Sequence, residues 1–500
     1  MKTVILTLGW LMTLLVADGA ADQPNILLCI SDDQSYAHTG VQGDPVVKTP
    51  AFDRVAKEGL LFTRAFCDAP TCGPSRSAIL TGQPIWRLEE AGNLHSTLPS
   101  KFITYTQVLR QAGYNVGYTG KGWSPGRLEP GGRTENPAGK QFAARRIKPN
   151  FKAMANLDYA GNFEDFLDET PKDKPFCFWL GTFEPHRAYE EGAGRRTGKD
   201  PTKVNVPAIF PDNDIVRNDI LDYLVEVEHF DQAVARAIES LEKRGQLQNT
   251  LVVVTSDHGM PFPRAKASLY DWGTHVPLAI RWPRGIKNPG RRVADMINLS
   301  DLAPTFLEAA GAEIPAMMTA QSLLGVFAGK NSEREAAFIA MERHDGCRVG
   351  GMAYPCRAVR TEDFLYIHNF EPSRWPAGSP DREVCARRLP FGEVDQSPTK
   401  TFMMEFSQQQ GTAKLAQLAF GLRPAEELYD LKRDPNQMQN VAGLSPFVKV
   451  QQKLRKQLFA HLEKTKDPRV IGGPIHWDHY PYYGYIHPKT KSWKVAPASR

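Results

Sequence analysis

Cys72 opens the run Cys72-Gly73-Pro74-Ser75-Arg76-Ser77-Ala78-Ile79-Leu80-Thr81-Gly82, whose residue types suit chemistry on an oxyanionic centre. Pro74 is preset for the first turn of a helix continuing over 75–80, so position 72 falls at the helix's positive end, where a sulfate or an oxyanion is favoured. Arg76, one turn later, is a permanently charged fork able to hold such an anion. A cysteine taken alone is more often a buried thiol, or half of a disulfide with a neighbour such as Cys67. The eleven-residue pattern as a whole points instead to a reactive position.

Hard ligands accompany it. Asp32-Asp33 follows the apolar run Asn25-Ile26-Leu27-Leu28-Cys29-Ile30, and Asp257-His258-Gly259 follows Leu251-Val252-Val253-Val254-Thr255. Adjacent acids after one strand usually make a turn or a cap. Two such groups, each closing a strand apolar on both faces, read as a mostly oxygen site suited to Ca²⁺ or Mg²⁺ rather than zinc. Lys121 in Gly120-Lys121-Gly122-Trp123, His186 in Glu184-Pro185-His186-Arg187, and Lys266 ahead of Ala267-Ser268-Leu269-Tyr270-Asp271 are further candidates. Each has a plain alternative, a structural histidine or a solvated lysine.

The elements that must position these groups follow an α/β rhythm. Further strands are expected at 115–119, 176–182 and 276–282, and helices at 51–57, 105–111, 219–242 and 302–310. The long helix carries Leu224, Val227, Phe230, Val234, Ile238 and Leu241 at core-facing spacing. Open α/β sheets hold ligands beyond the carboxyl ends of their strands, which is where both acid groups fall. A chain of 500 residues exceeds one compact core, and the Gly, Lys, Asn and Ser of 325–335 suggest a boundary between a catalytic domain at 22–330 and a smaller unit at 331–500. In the latter, 336–341, 357–360 and 364–368 predict an antiparallel sheet, 447–464 an amphipathic helix packed on it, and 473–494 an aromatic-rich tail.

Residues 1–21 read as a signal peptide, with Lys2 at its start, an apolar core at 4–16 and small residues Gly19-Ala20-Ala21 at its end. An exported protein is expected, periplasmic or extracellular, or lysosomal in an animal. The formal charge of +5, unchanged by loss of Lys2 and Asp18 with the leader, is a mild bias toward polyanions. Seven cysteines are too few for a disulfide scaffold. Cys347, Cys356 and Cys385 can supply one bridge, and free buried thiols fit equally well.

The Cys-x-Pro-Ser-Arg run with its closing Leu-Thr-Gly resembles the signature of the type I, formylglycine-dependent sulfatases, and related marks extend over about 25–467. The resemblance implies an alkaline phosphatase-like fold, with a large mainly parallel sheet flanked by helices and a smaller C-terminal α+β subdomain. It further implies oxidation of Cys72 to formylglycine by a formylglycine-generating enzyme, and one Ca²⁺ held by Asp32, Asp33, Asp257, His258 and position 72. In that family a geminal diol at the modified residue attacks sulfur, helped by an acid such as Asp257. Arg76, Lys121 and Lys266 hold the sulfuryl group, and His186 or Lys266 protonates the leaving atom. The enzyme-bound sulfate ester then collapses when the second hydroxyl loses its proton. Asn is commoner where His258 stands, and a histidine where Trp123 stands.

Within the family, Ser256-Asp257-His258-Gly259-Met260-Pro261-Phe262-Pro263 and Tyr354-Pro355-Cys356-Arg357-Ala358-Val359-Arg360 are most similar to the heparan N-sulfatase (sulfamidase) branch and its bacterial relatives. Glu427-Leu428-Tyr429-Asp430 agrees but is widely shared. This implies a sulfated saccharide as partner, with the N-sulfate of glucosamine removed. Trp123, Glu184, His344 and Arg357 are then candidate substrate-binding residues, with a structural ion network as the alternative for the last two. Lys266, where that branch has arginine, keeps an O-sulfatase open, and Trp123 keeps open a non-catalytic glycan binder. A phosphatase with a Ser or Thr nucleophile and two zincs fits poorly with one cysteine and one set of hard ligands. No nucleic acid partner or membrane anchor is expected; a homodimer is left open.

Overall fold

The computed structural model describes residues 23–330, 332 and 334–490; the leader read at 1–21 lies outside them. Eight strands form the main sheet, in the spatial order Lys140–Gln141, Asn115–Gly120, Phe176–Gly181, Asn25–Ser31, Thr250–Ser256, Leu278–Arg281, Leu60–Phe62, Arg291–Val293. The five from Lys140–Gln141 to Thr250–Ser256 are mutually parallel, whereas Leu278–Arg281 runs antiparallel to both its neighbours.

The central strands are apolar throughout because both faces are covered. Ile26, Leu28 and Ile30 face the helices Cys72–Thr81, Tyr105–Gln111 and Leu302–Ala309, while Leu27 and Cys29 face Pro50–Glu58, Tyr159–Glu169 and Asp214–Lys243. The long helix runs Asp214–Lys243, five residues earlier than its apolar stripe predicts, because the Asn213 side chain caps it by accepting from Val216 N.

The helix Cys72–Thr81 is buried on every side, so its sequence shows almost no amphipathic pattern. Pro74 sits in its first turn, where a backbone N–H has no partner inside the helix in any case. Gly82 ends it at φ 60, donating to Ala78 O at 2.9 Å. Ser77 and Thr81 hydroxyls turn back onto the carbonyls of Gly73 and Ser77, which keeps polar groups satisfied within a helix that has no wet face.

The second sheet is antiparallel, ordered Ala336–Met341, Cys356–Thr361, Phe364–Asn369, Glu426–Asp430. Its fourth strand, Glu426–Asp430, is not expected from the sequence, since a long segment with two short helices, Pro398–Glu405 and Ala413–Phe420, separates it from the third strand and its charged ends hide the pattern. The helix Val448–Lys464 buries Leu454, Leu458 and Leu462 against Ala340, Val359, Tyr366 and Leu428. The aromatic tail, of which 491–494 lie outside the described residues, packs back on the larger unit: Trp477 Nε1 donates to Glu89 O at 2.9 Å, and Tyr483 N to His95 O at 2.8 Å. No helix among the described residues is long and apolar enough to cross a membrane.

Candidate active site

Four turns at the carboxyl ends of neighbouring parallel strands bring the polar groups together. Asn25–Ser31 delivers Asp32 and Asp33, Asn115–Gly120 delivers Lys121, Phe176–Gly181 leads to Glu184 and His186, and Thr250–Ser256 delivers Asp257 and His258. The amino end of the helix Cys72–Thr81 points into the same space. A cleft of about 520 Å³ opens above it, with Asp32, Cys72, Lys121, His186, Lys266 and Asp395 at its base.

Cys72 Sγ lies 3.3 Å from His258 Nε2 and 3.5 Å from Asp32 Oδ1. His258 Nδ1 faces Gly259 O at 3.1 Å, so the ring proton belongs on Nδ1 and the Nε2 lone pair faces inward. There it meets Asp33 Oδ1 at 3.1 Å, a buried oxygen with no hydrogen-bond partner. Two facing acceptors repel one another unless a cation sits between them. Ligand atoms of Asp32, Asp33, Cys72 and His258 all lie within 4.8 Å of one another, close enough to share one metal ion.

Charge counting leads to the same place. Asp32, Asp33, Asp257 and Asp395 face three fixed cations, Arg76, Lys121 and Lys266. A divalent cation turns this net negative pocket into one that attracts a sulfate. Burial alone would neutralise the lysines, but Asp32 raises the Lys121 pKa and Asp33 with Asp395 raises that of Lys266, so both stay charged.

Asp257 borders this cluster, its Oδ1 3.8 Å from His258 Nε2. Its Oδ1 accepts from the backbone N–H groups of Asp33 at 3.1 Å and His258 at 2.9 Å, and its Oδ2 accepts from Arg76 Nε at 2.9 Å. Burial opposes ionisation, yet the fixed charges of Arg76 and Lys121 hold its carboxyl far below the usual range. Asp257 therefore fixes the turn that carries two ligands and orients Arg76. Arg76 is itself fully buried and also donates to Lys121 O at 2.6 Å and Gly122 O at 3.0 Å.

Lys266 Nζ bridges Asp33 Oδ2 at 2.8 Å and Asp395 Oδ2 at 3.0 Å. His186 Nδ1 bonds Arg187 O at 2.5 Å, and its Nε2 faces Asp33 at 3.9 Å from the cleft wall. Of the expected substrate-binding residues, Glu184 lines the cleft, its carboxylate accepting from Ala155 N and Tyr159 Oη, each at 2.8 Å. His344 lines it too, with Nδ1 2.7 Å from Thr71 Oγ1; burial, then Lys266, keeps its ring neutral.

Two expectations are corrected. Trp123 is 3% exposed and directed into the core, where Nε1 donates to Ser77 Oγ at 2.8 Å. It braces the helix that carries Cys72 and does not line the cleft. Arg357 is 0% exposed and locked between Asp467 Oδ2 at 2.6 Å and Glu342 Oε1 at 2.7 Å; the structural ion network, left as its alternative, is what it forms. Arg357→Ala is expected to destabilise the fold by about 3–5 kcal/mol in urea unfolding, because buried carboxylates lose their counter-charge. Turnover by the folded fraction should hardly change; a selective rise in KM on saccharides would return Arg357 to the cleft.

Several wall residues carried no local signature. His95, Arg387 and Asp395 come from irregular segments, and nothing in their spacing marks them. Glu226 could have been found: it lies beside Leu224 and Val227 of the long helix, a carboxyl among core-facing residues. Burial, then the charge of Glu184, pushes its pKa up to about 9, so it carries a proton at neutral pH.

A family model described as "Sulfatase" matches residues 24–312, and one described as "N-sulphoglucosamine sulphohydrolase, C-terminal" matches 262–376. The chain is 28% identical over 492 residues to human N-sulphoglucosamine sulphohydrolase, covering 89% of this chain and 91% of that protein. It is 27% identical over 464 residues to an ulvan-active sulfatase of Formosa agariphila, covering 91% and 84%. A structure of BT4656 with D-glucosamine-2-N,6-O-disulfate superposes at TM-score 0.62, with 20% identity and coverage of 90% of this chain and 99% of that one.

Proposed function

The chain belongs to the sulfatase family, and from that premise we propose that it hydrolyses the N-sulfate of glucosamine in heparin or heparan sulfate. One observation carries the sulfatase chemistry. Position 72 heads a buried helix at the base of the cleft, between a cation-ready cluster and the ammonium groups of Lys121 and Lys266. The N-sulfate assignment is supported by the second family match and by the human relative. We infer that residues 22–330 form the catalytic domain, that 331–500 add the far wall of the cleft, and that the protein is exported and meets a formylglycine-generating enzyme while unfolded.

Once matured, position 72 would supply a hydrated aldehyde as nucleophile, and Asp32, Asp33, Asp257 and His258 would hold with it a Ca²⁺ that would supply Lewis acidity. The chain's own groups do the rest. Lys121 and Lys266, pinned by Asp32 and Asp33, present fixed positive charge to the sulfuryl oxygens without reorganising. The helix N-terminus adds its dipole. His186 Nδ1 is engaged by Arg187 O, which leaves Nε2 as the ring atom that would pass a proton to the leaving nitrogen. Glu226, protonated, and the Glu184 carboxyl offer a donor and an acceptor to sugar hydroxyls along one wall.

An amine leaves only when protonated, whereas an activated phenolate needs little help. His186→Ala should therefore cost roughly 10² to 10⁴ in rate on an N-sulfated disaccharide and much less on an aryl sulfate. Equal losses on both would make His186 a sulfate-binding group. The assignment itself is tested by incubating matured protein with defined heparin disaccharides and resolving N-, 2-O- and 6-O-desulfation. Loss of the N-sulfate is expected. Release from O-positions alone would establish instead the O-sulfatase reading.

A further inference from the structure

Two cysteines outside the reacting centre converge on one point behind the cleft wall. Ala386 N donates to Gly346 O at 2.7 Å and Ser379 N to Cys347 O at 2.8 Å, so the segments bearing Cys347 and Cys385 run against each other. A β-carbon placed on Gly392 would lie 2.5 Å from Cys385 Sγ and 2.9 Å from Cys347 Cβ, and one on Gly378 would lie 2.7 Å from Cys347 Sγ. The two side chains, both free thiols, thus close on the same spot, with glycines on both sides because nothing larger fits. Both residues are fully buried, whereas Cys356 packs elsewhere, among Ile339, Ala358 and Tyr429.

The surrounding contacts show what such a junction would brace. His344, three residues before Cys347, and Arg387, two after Cys385, both line the cleft. Arg387 Nε pairs with Asp345 at 2.9 Å and its guanidinium reaches His95 Nε2 at 3.1 Å. Glu393 accepts from Asp345 N at 2.9 Å and also takes Arg348. The wall is therefore held by ion pairs spanning the same two segments, in loops without regular structure. Loops of this kind gain most from a covalent tie.

We propose that Cys347 and Cys385 form a disulfide that fixes the saccharide-facing wall of the cleft. The bond forms by exchange with a disulfide carrier, a protein or small molecule of an oxidising compartment. The Cys385 thiolate attacks one carrier sulfur and expels the other as thiolate. Cys347, giving its proton to solvent, then attacks Cys385 sulfur and expels the second carrier thiolate. Two thiols are oxidised to one disulfide as one carrier disulfide is reduced to two thiols. Because both sulfurs are buried, exchange belongs to folding, before the loops close. Neither cysteine touches position 72 or the cation cluster, so this inference stands or falls separately from the assigned reaction.

The test uses full-length protein made by an exporting host, denatured and alkylated without reduction, then digested with trypsin. The peptides 344–348 and 383–387 are expected joined, two hydrogens lighter than their sum, and separate after reduction. Both peptides alkylated in the unreduced sample, or either one joined to Cys356, would overturn the proposal. Dithiothreitol should lower the melting temperature of the wild type by several degrees and leave a Cys347→Ser/Cys385→Ser variant unmoved. It should also raise the wild-type KM for a sulfated disaccharide several-fold while leaving that for a small aryl sulfate unchanged. An equal rise on both substrates would refute the bracing of the wall. If the variant fails to fold, the peptide map of the wild type decides.

Discussion

Cys72→Ala is expected to abolish sulfate release, with a loss on the order of 10⁶, the scale reached when a nucleophile acting as one unit with its surroundings is removed. Cys72→Ser should fail almost as completely. A hydroxyl there can neither be oxidised by the thiol-directed modifying enzyme nor form an aldehyde hydrate, and burial beside Asp32 keeps such a group protonated, as it does the thiol itself. Turnover should be measured on an aryl sulfate, where leaving-group protonation is least demanding and a surviving nucleophile would be easiest to detect. Mass spectrometry of the tryptic peptide containing Cys72 supplies the chemical half of the test. Protein made alongside a competent modifying enzyme should carry the aldehyde, while protein made without it should carry a thiol and be inactive in proportion. Active protein with only unmodified thiol would remove formylglycine from the mechanism.

The second large effect belongs to Asp33. Asp33→Asn is expected to abolish tight cation binding and to lower kcat/KM by far more than the roughly 10² that loss of a supporting contact costs at a metal site. Asp33 Oδ1 is the buried oxygen without a hydrogen-bond partner, while Oδ2 holds Lys266. The substitution therefore removes a ligand and loosens a sulfate-binding lysine at once. Metal analysis of wild type and variant, each dialysed against chelator and then Ca²⁺, gives a readout independent of turnover. One equivalent of Ca²⁺ in the wild type and none in the variant is expected. Two tightly held zinc ions in the wild type would move the chain toward phosphoryl transfer. Asp257→Asn makes an instructive contrast. It should keep part of its cation affinity but lose stability, because Arg76 would remain buried with its charge only partly answered.

How much of this was legible in the sequence follows from which interactions are local. The run from Cys72 to Gly82 specifies its own helix, cap and buried environment, since the proline, the small residues and the terminal glycine act within a turn or two of one another. Unbroken apolar runs in Asn25–Ser31 and Thr250–Ser256 likewise mark strands covered on both faces, and acids at their ends fall at the sheet's binding edge by geometry. Those features bring Asp32, Asp33, Asp257 and His258 together near position 72, whereas Lys121 and His186 are legible only through the family resemblance.

Other roles are decided by contacts 46 to 181 residues apart, which no window can hold. That Asp257 orients Arg76 depends on the crossing of a strand end and a helix 181 residues apart in sequence. Arg357 is withdrawn from the cleft because Asp467, 110 residues on, reaches it first. Trp123 is turned inward by a hydroxyl on the helix of Cys72. Asp395, Arg387 and His95 enter the site from segments without periodicity, where only the folded neighbours fix a loop's path. The sequence by itself determined the reaction centre, because helix ends, strand ends and hard ligands are short-range devices. The tertiary structure alone decided which charges are free to meet a substrate and which neutralise one another, because a buried ion's partner is chosen by distance through space rather than along the chain.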